Sequence, residues 1–210
     1  MKTIDAHVCI LKNILDNYKF DSLLYISSGR IYYNMDSTFE ENHFSINPNL
    51  KNDLYNISKL QGESLCLSLN NPKIKIIRPS NVVGKSGPPN LFITSIIKEA
   101  IKTGKIILHS TLDSQKDYVY IDDLVHLIPK IIFSDKFQIY NIASGHNTLS
   151  SEIINEIIRL TNCKLEIATD AKKFTFTKIN TDRIKNEFNF VPIKITDKIE
   201  ELVKFYQSSN

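Results

Sequence analysis

The stretch DLYNISKL, residues 53–60, holds a tyrosine and a lysine four apart, Tyr55 and Lys59. On a helix that spacing places both side chains on one face. A phenol, with an ordinary pKa of ~10, is a poor base at neutral pH. A neighbouring ammonium favours the phenolate. Such a tyrosine can take a proton from a substrate hydroxyl while hydride leaves for an acceptor. Upstream, Ser27 and Ser28 close the apolar run SLLYISS (22–28). Ligands bind at strand C-termini in open α/β sheets, and a serine hydroxyl there can hold the reacting oxygen in place. Chance competes with this reading. The chain has nine tyrosines, and exposed Tyr and Lys are common on helices.

The elements that must position these residues are legible from periodicity. Residues 4–18 place Ile4, Val8, Leu11, Ile14 and Leu15 at helical spacing. SLLYISS suits a buried parallel strand, 54–69 a helix, and IKIIRP (74–79) a second buried strand stopped by Pro79. Helices are expected at 91–103 and from an Asp122 or Asp123 cap to residue 133, with a kink at Pro129. FQIYNIAS (137–144) reads as a third strand, and 151–161 as a helix with Ile153, Ile154, Ile157 and Ile158 on one face. Strands alternating with helices predict an α/β fold with a mostly parallel sheet.

The bulk numbers are those of an ordinary globular chain. It has 210 residues, 42% hydrophobic and 23% charged, enough to bury a sizeable core. A net charge of +3 from scattered lysines gives no reason to expect nucleic acid or an anionic membrane. Cys9, Cys66 and Cys163 are odd in number and far apart, against a disulfide framework or a zinc site. Buried, reduced thiols are the expectation. The N-terminal apolar run contains Asp5, His7 and Lys12, unlike a signal peptide, and no stretch is long enough to span a membrane. A cytoplasmic location follows as the expectation.

Five segments in order resemble the extended short-chain dehydrogenase/reductase family, the NAD-dependent sugar-nucleotide epimerases and dehydratases. LLYISSGRIYY (23–33) is similar to that family's strand ending in Ser-Ser-x-x-Val-Tyr-Gly, with Tyr33 in place of the glycine. YNISKLQGE (55–63) resembles Tyr-Gly-x-Ser-Lys-x-x-x-Glu. IIRPSNVVGKSGPP (76–89), KDYVYIDDLV (116–125) and IYNIASGHNTLS (139–150) resemble the three motifs that follow, and TDRIKNEFNFVP (181–192) matches more loosely. The resemblance implies a catalytic set of Ser28, Tyr55 and Lys59. Tyr55 is the acid/base, and Lys59 tunes it and binds the nicotinamide ribose. Pro79 and Ser80 lie where the backbone passes the nicotinamide of NAD or NADP. Ser28, Asn81 and Lys116 face a nucleotide-sugar substrate. Lys116 replaces an arginine that often binds phosphate, giving a point charge where the family has a bidentate fork. Bland roles stand beside these: Asn81 supporting a turn, Lys116 as a solvated charge, Asp122 and Asp123 as helix caps, Arg78 in a structural ion pair.

The family's strand–Gly-x-x-Gly-x-x-Gly–helix opening, which seats the cofactor pyrophosphate, has no counterpart among the six glycines at 29, 62, 84, 87, 104 and 145. The resemblance therefore implies the C-terminal part of a Rossmann-like parallel sheet, three strands with flanking helices, plus a small α/β substrate-binding lobe. Residues 1–84 with 116–144 form the first part and 85–115 with 145–208 the second. SLLYIS becomes a sheet edge without protective charge or proline, and exposed apolar surface favouring association is expected. Two functions stay open. One is the catalytic and substrate-binding portion of an epimerase, dehydratase or reductase, homodimeric through helices 5–18 and 54–69 or completed by a partner chain. The other is a non-catalytic interaction or structural subunit derived from that fold.

Overall fold

The computed structural model describes residues 2–208 apart from 34, 43, 45, 51, 52, 86, 89 and 90. Part of the 76–89 motif therefore lies outside the described residues. The N-terminal apolar periodicity folds as α1 (Lys2–Ile4), a π-helical turn (Asp5–Cys9) and α2 (Ile10–Asn17). Then come β1 (Leu23–Ile26), a 3₁₀ turn (Gly29–Tyr32), α3 (Asp53–Ser68), β2 (Ile74–Pro79) and β3 (Asn81–Val83). The chain continues through α4 (Phe92–Thr103), β4 (Lys105–Ser110), β5 (Gln115–Tyr120), α5 (Ile121–Ile132), β6 (Ile139–Ile142) and β7 (Asn147–Leu149). It closes with α6 (Ser150–Thr161), β8 (Lys164–Lys172), α7 (Asp182–Phe188), a 3₁₀ turn (Ile195–Lys198) and α8 (Ile199–Ser208).

β2 is the middle of a parallel sheet ordered β1-β2-β6. All six of its residues are buried, as a central strand covered on both faces requires. Its Ile77 joins Val119, Leu127, Ile131 and Ile142 in a core beneath α5. On the other side Ile74 and Ile76 meet Leu11, Tyr25 and Cys66 under α2 and α3. A second sheet, β3-β5-β7, carries the chain outward, and β4 pairs with β8 in parallel. A third core of Ile96, Ile97, Ile106, Ile153, Ile157 and Leu202 ties that last pair to α4, α6 and α8.

Several local expectations need correction. β1 pairs on one side only, and Ile26 is 48% exposed. The 22–28 run is thus the sheet edge that the resemblance implied, half-covered where its apolar run had suggested a fully buried strand. Cys66 and Cys163 are buried, but Cys9, at the end of the π turn, is exposed. Asp122 and Asp123 lie in the first turn of α5 without capping it by side chain. Asp123 instead accepts a hydrogen bond from the Ile193 amide at 2.9 Å, anchoring the segment before α8. Helix α5 runs through Pro129 to Ile132.

One close approach sets the geometry of the site. A Cβ on Gly62 of α3 would overlap the Tyr25 hydroxyl and approach the His7 carbonyl at 2.9 Å. The Tyr25 hydroxyl donates toward the carbonyls of His7 and Lys59, each at 3.4 Å. Glycine at 62 thus lets the π turn, β1 and α3 meet at the turn that carries Lys59.

Candidate active site

Ser28, two residues past β1, caps the 3₁₀ turn: its hydroxyl accepts a hydrogen bond from the Arg30 amide at 3.2 Å. Tyr55 and Lys59 stand one turn apart on α3, with the Lys59 ammonium 5.8 Å from the Tyr55 ring centroid. Lys59 is 8% exposed and donates to the Ile26 carbonyl at 2.8 Å. Burial holds its pKa below the ordinary lysine value, with the Glu63 carboxylate opposing. From behind, the π turn braces the tyrosine. The His7 ring packs edge-on to Tyr55 at 5.4 Å, and His7 Nδ1 lies 2.9 Å from Ser58 Oγ. Ser58 in turn donates to the Tyr55 carbonyl at 2.7 Å. Burial, then the Lys59 charge, keeps the His7 imidazole below its usual pKa. A π turn beside a functional side chain is a recurrent association.

Two joined clefts open at the C-terminal ends of β1 and β2. One, about 570 Å³, is lined by Ser28, Arg30, Tyr55, Ser80 and Asn81 together with Gly84, Lys85, Gly87, Pro88 and Leu91. The other, about 160 Å³, shares Ser28, Arg30, Ser80 and Asn81 and runs on to Pro79, Lys116 and Phe176. Ser28, Tyr55, Pro79, Ser80, Asn81 and Lys116 therefore each line a cleft, and Lys59 lies beneath Tyr55. Asn81 also supports the backbone, donating to the Asp117 carbonyl at 2.8 Å. Lys116 is half-buried among three rings, 5.6 Å from Phe92, 5.9 Å from Phe174 and 5.5 Å from Phe176. It is not a solvated charge. Burial, and then the Arg30 charge, lowers its pKa.

Asp117, 2% exposed, borders the smaller cleft but its oxygens are occupied. They accept from the Ser144, Gly145 and His146 amides at 3.0, 2.7 and 3.1 Å and from the Ser144 hydroxyl at 3.0 Å. Burial raises its pKa, while the Ser80 hydroxyl and these donors oppose the rise. Asp117 thus fastens the 144–146 turn under the cleft floor. Arg78 makes the ion pair expected of it, with Nε and Nη2 on Glu63 at 2.9 and 2.6 Å. Sequence reasoning missed Arg30, Phe174 and Phe176. Arg30, two residues past Ser28, was within reach of the motif; the phenylalanines arrive by tertiary folding and carry no local signal. Among the described residues no cluster of His, Cys, Asp or Glu could hold a metal, and no helix is long and apolar enough to cross a membrane.

Comparison with known proteins bears on the family and the fold. Residues 2–143 match the NAD dependent epimerase/dehydratase family. The chain is 24% identical to the dTDP-4-dehydro-6-deoxyglucose reductase of Escherichia coli, aligning 97% of itself with 67% of that protein. It is also 24% identical to the GDP-6-deoxy-D-mannose reductase of Pseudomonas aeruginosa, over 71% of the chain and 52% of the relative. The chain thus spans from two thirds down to about half the length of these relatives. Among solved structures, a dTDP-glucose 4,6-dehydratase from Bacillus anthracis in complex with NAD superposes with a TM-score of 0.78 at 20% identity, over 98% of this chain and 68% of that one. RMD from Pseudomonas aeruginosa complexed with NADPH gives 0.79 at 20%, over 99% and 75%. At such identity the superpositions speak for the fold. The family match spans most of the chain and includes the Ser28, Tyr55 and Lys59 segments, and the chain belongs to the NAD-dependent epimerase/dehydratase family.

Proposed function

We propose that the chain is the catalytic and substrate-binding portion of an NAD(P)-dependent enzyme acting on a nucleotide sugar. The carrying observation is that Ser28 and Tyr55 line one cleft while Lys59 stands beneath the same tyrosine. Tyr55 exchanges a proton with the reacting hydroxyl or carbonyl oxygen of the sugar. Ser28 holds that oxygen, and Lys59 supplies the charge that steadies the phenolate. Lys116 faces the substrate phosphates as a point charge, and Asn81 lies along the path between. On this reading residues 1–84 with 116–144 make the cofactor side and 85–115 with 145–208 the substrate side, joined by cores to which both parts contribute.

The residues present fit the nicotinamide end of the cofactor. The Lys59 ammonium has three donors, of which one goes to the Ile26 carbonyl. Ser27 Oγ, on a residue 3% exposed, has no hydrogen-bond partner among the described residues. Both lie at the C-terminal end of β1, Lys59 through its bond to Ile26 and Ser27 one residue beyond. When bound, the cofactor supplies and accepts hydride. Tyr55, Lys59, Pro79 and Ser80 would hold its ribose and ring. The glycine loop for the pyrophosphate lies outside these residues, so we assign it to sequence or a partner beyond them. Calorimetric titration with NAD⁺ and NADP⁺ tests this. The chain alone is expected to bind neither below about millimolar, since most contacts are lacking. Saturable micromolar binding by the monomer would show the assignment wrong.

Self-association through helices 5–18 and 54–69 belongs to the same proposal. It is supported by the exposure of Ile10 on α2 and of Leu54 and Leu67 on α3. Sedimentation should find a dimer that Ile10→Lys with Leu67→Lys converts to monomer. A monomer in the unsubstituted chain sinks the idea.

A further inference from the structure

We propose that Arg30 is a specificity residue that binds a carboxylate on the sugar of the nucleotide-sugar substrate, so that the chain prefers a uronic acid over a neutral hexose. This rests on the reading of the Ser28–Tyr55 cleft as the seat of the reacting sugar. Arg30 lines both clefts and the adjoining one of about 330 Å³ formed with Tyr33, Lys116 and Phe176. Its guanidinium carbon is 5.9 Å from the Tyr55 ring centroid, and its charge is felt at the Lys116 ammonium. It therefore borders the tyrosine and shares two clefts with the lysine.

Neither cation has an ion-pair partner among the described residues, although ten other pairs are formed. The carboxylates nearby are engaged elsewhere. Asp117 is filled by the 144–146 amides. Asp53 accepts from the Asn47 amide at 2.9 Å and the Asn56 side chain at 3.3 Å. Two like charges converging without a counter-ion form a site that an anion completes.

The position of Arg30 selects which anion. With the diphosphate against Lys116 and the reacting carbon against Tyr55, Arg30 lies at the Tyr55 end of the sugar. A carboxylate carried on the ring carbon next to the reacting one falls within its reach. The diphosphate, on the opposite side of the ring, belongs to the lysine. A guanidinium meets a carboxylate through two parallel hydrogen bonds, which gives direction as well as charge. No oxidation or bond change at that carboxylate is involved: the step is recognition.

Calorimetric titration tests the proposal with a uronic acid and the matching neutral hexose on the same nucleotide, in UDP, dTDP and GDP forms. The unsubstituted chain is expected to bind the uronate at least about tenfold more tightly. In Arg30→Gln the preference should collapse to about equal affinity, while Arg30→Lys, which keeps charge without the fork, should retain part of it. Circular dichroism confirms that each variant is folded. Equal binding of the two sugars by the unsubstituted chain overturns the proposal, as does a preference that survives in Arg30→Gln. Binding of no nucleotide sugar at all overturns the reading of the cleft, and this proposal with it.

Discussion

Tyr55→Phe is expected to slow hydride transfer between nicotinamide cofactor and nucleotide sugar by at least about hundredfold, with sugar binding little changed. The substitution removes one hydroxyl and leaves the ring, so its packing against His7 at 5.4 Å persists. Two other positions sharpen the expectation. Lys59→Ala should impair both turnover and cofactor affinity, because on the proposed reading the ammonium, held by its bond to Ile26, serves both the tyrosine and the nicotinamide ribose. Ser28→Ala should cost less than Tyr55→Phe, since the serine positions the oxygen and moves no proton of its own. The assay is the absorbance of the reduced cofactor in the assembly that carries the pyrophosphate loop. Unimpaired turnover in Tyr55→Phe would mean that another group moves the proton.

Glu63→Ala should destabilise the fold by about 3–5 kcal/mol, the cost of leaving a buried charge without its partner. Arg78 is 1% exposed. Besides its two bonds to Glu63 it donates to the Tyr32 hydroxyl at 2.6 Å and the Glu40 carbonyl at 3.0 Å. Tyr32 in turn donates a hydrogen bond to Asn141 Oδ1 at 2.9 Å. Through these contacts β2, α3, the segment after the 3₁₀ turn and β6 share one buried network. Glu63 lies one helical turn beyond Lys59, so loosening it also frees the helix face that carries the tyrosine. Denaturant unfolding of Glu63→Ala and of Glu63→Gln separates charge from shape. The amide, which can still accept from the guanidinium, should lose less. A loss below about 1 kcal/mol in Glu63→Ala would show that water or another carboxylate relieves Arg78.

The parts of this fold that were legible in the sequence are those whose reasons are local. IKIIRP announces a buried strand by its three isoleucines within Ile74 to Ile77, and Pro79 stops it where the structure does. The Tyr55–Lys59 spacing needs only a helix to become a shared face, and α3 covers both. The β4–β8 pair was not legible. KLEIATDAK interrupts its apolar residues with charges because the strand is mostly exposed, so its pairing with Lys105–Ser110 depends on the partner. β3 and β7 have three residues each, too few for any period to show. At the site, Ser28 and Tyr55 could be read from motif order, but the Phe92, Phe174 and Phe176 cage around Lys116 is drawn from segments brought together only by folding. Asp122 and Asp123 looked like caps because capping is their commonest use near a helix start; tertiary demand at Ile193 claimed Asp123 instead.

A crystal structure of the chain with a bound nucleotide sugar tests the central claim most directly. The account predicts the sugar in the cleft between Ser28 and Tyr55, its reacting oxygen within hydrogen-bond reach of both hydroxyls, and the diphosphate against Lys116. A ligand seated away from this cleft, or lying with its nucleobase at Tyr55, would contradict it.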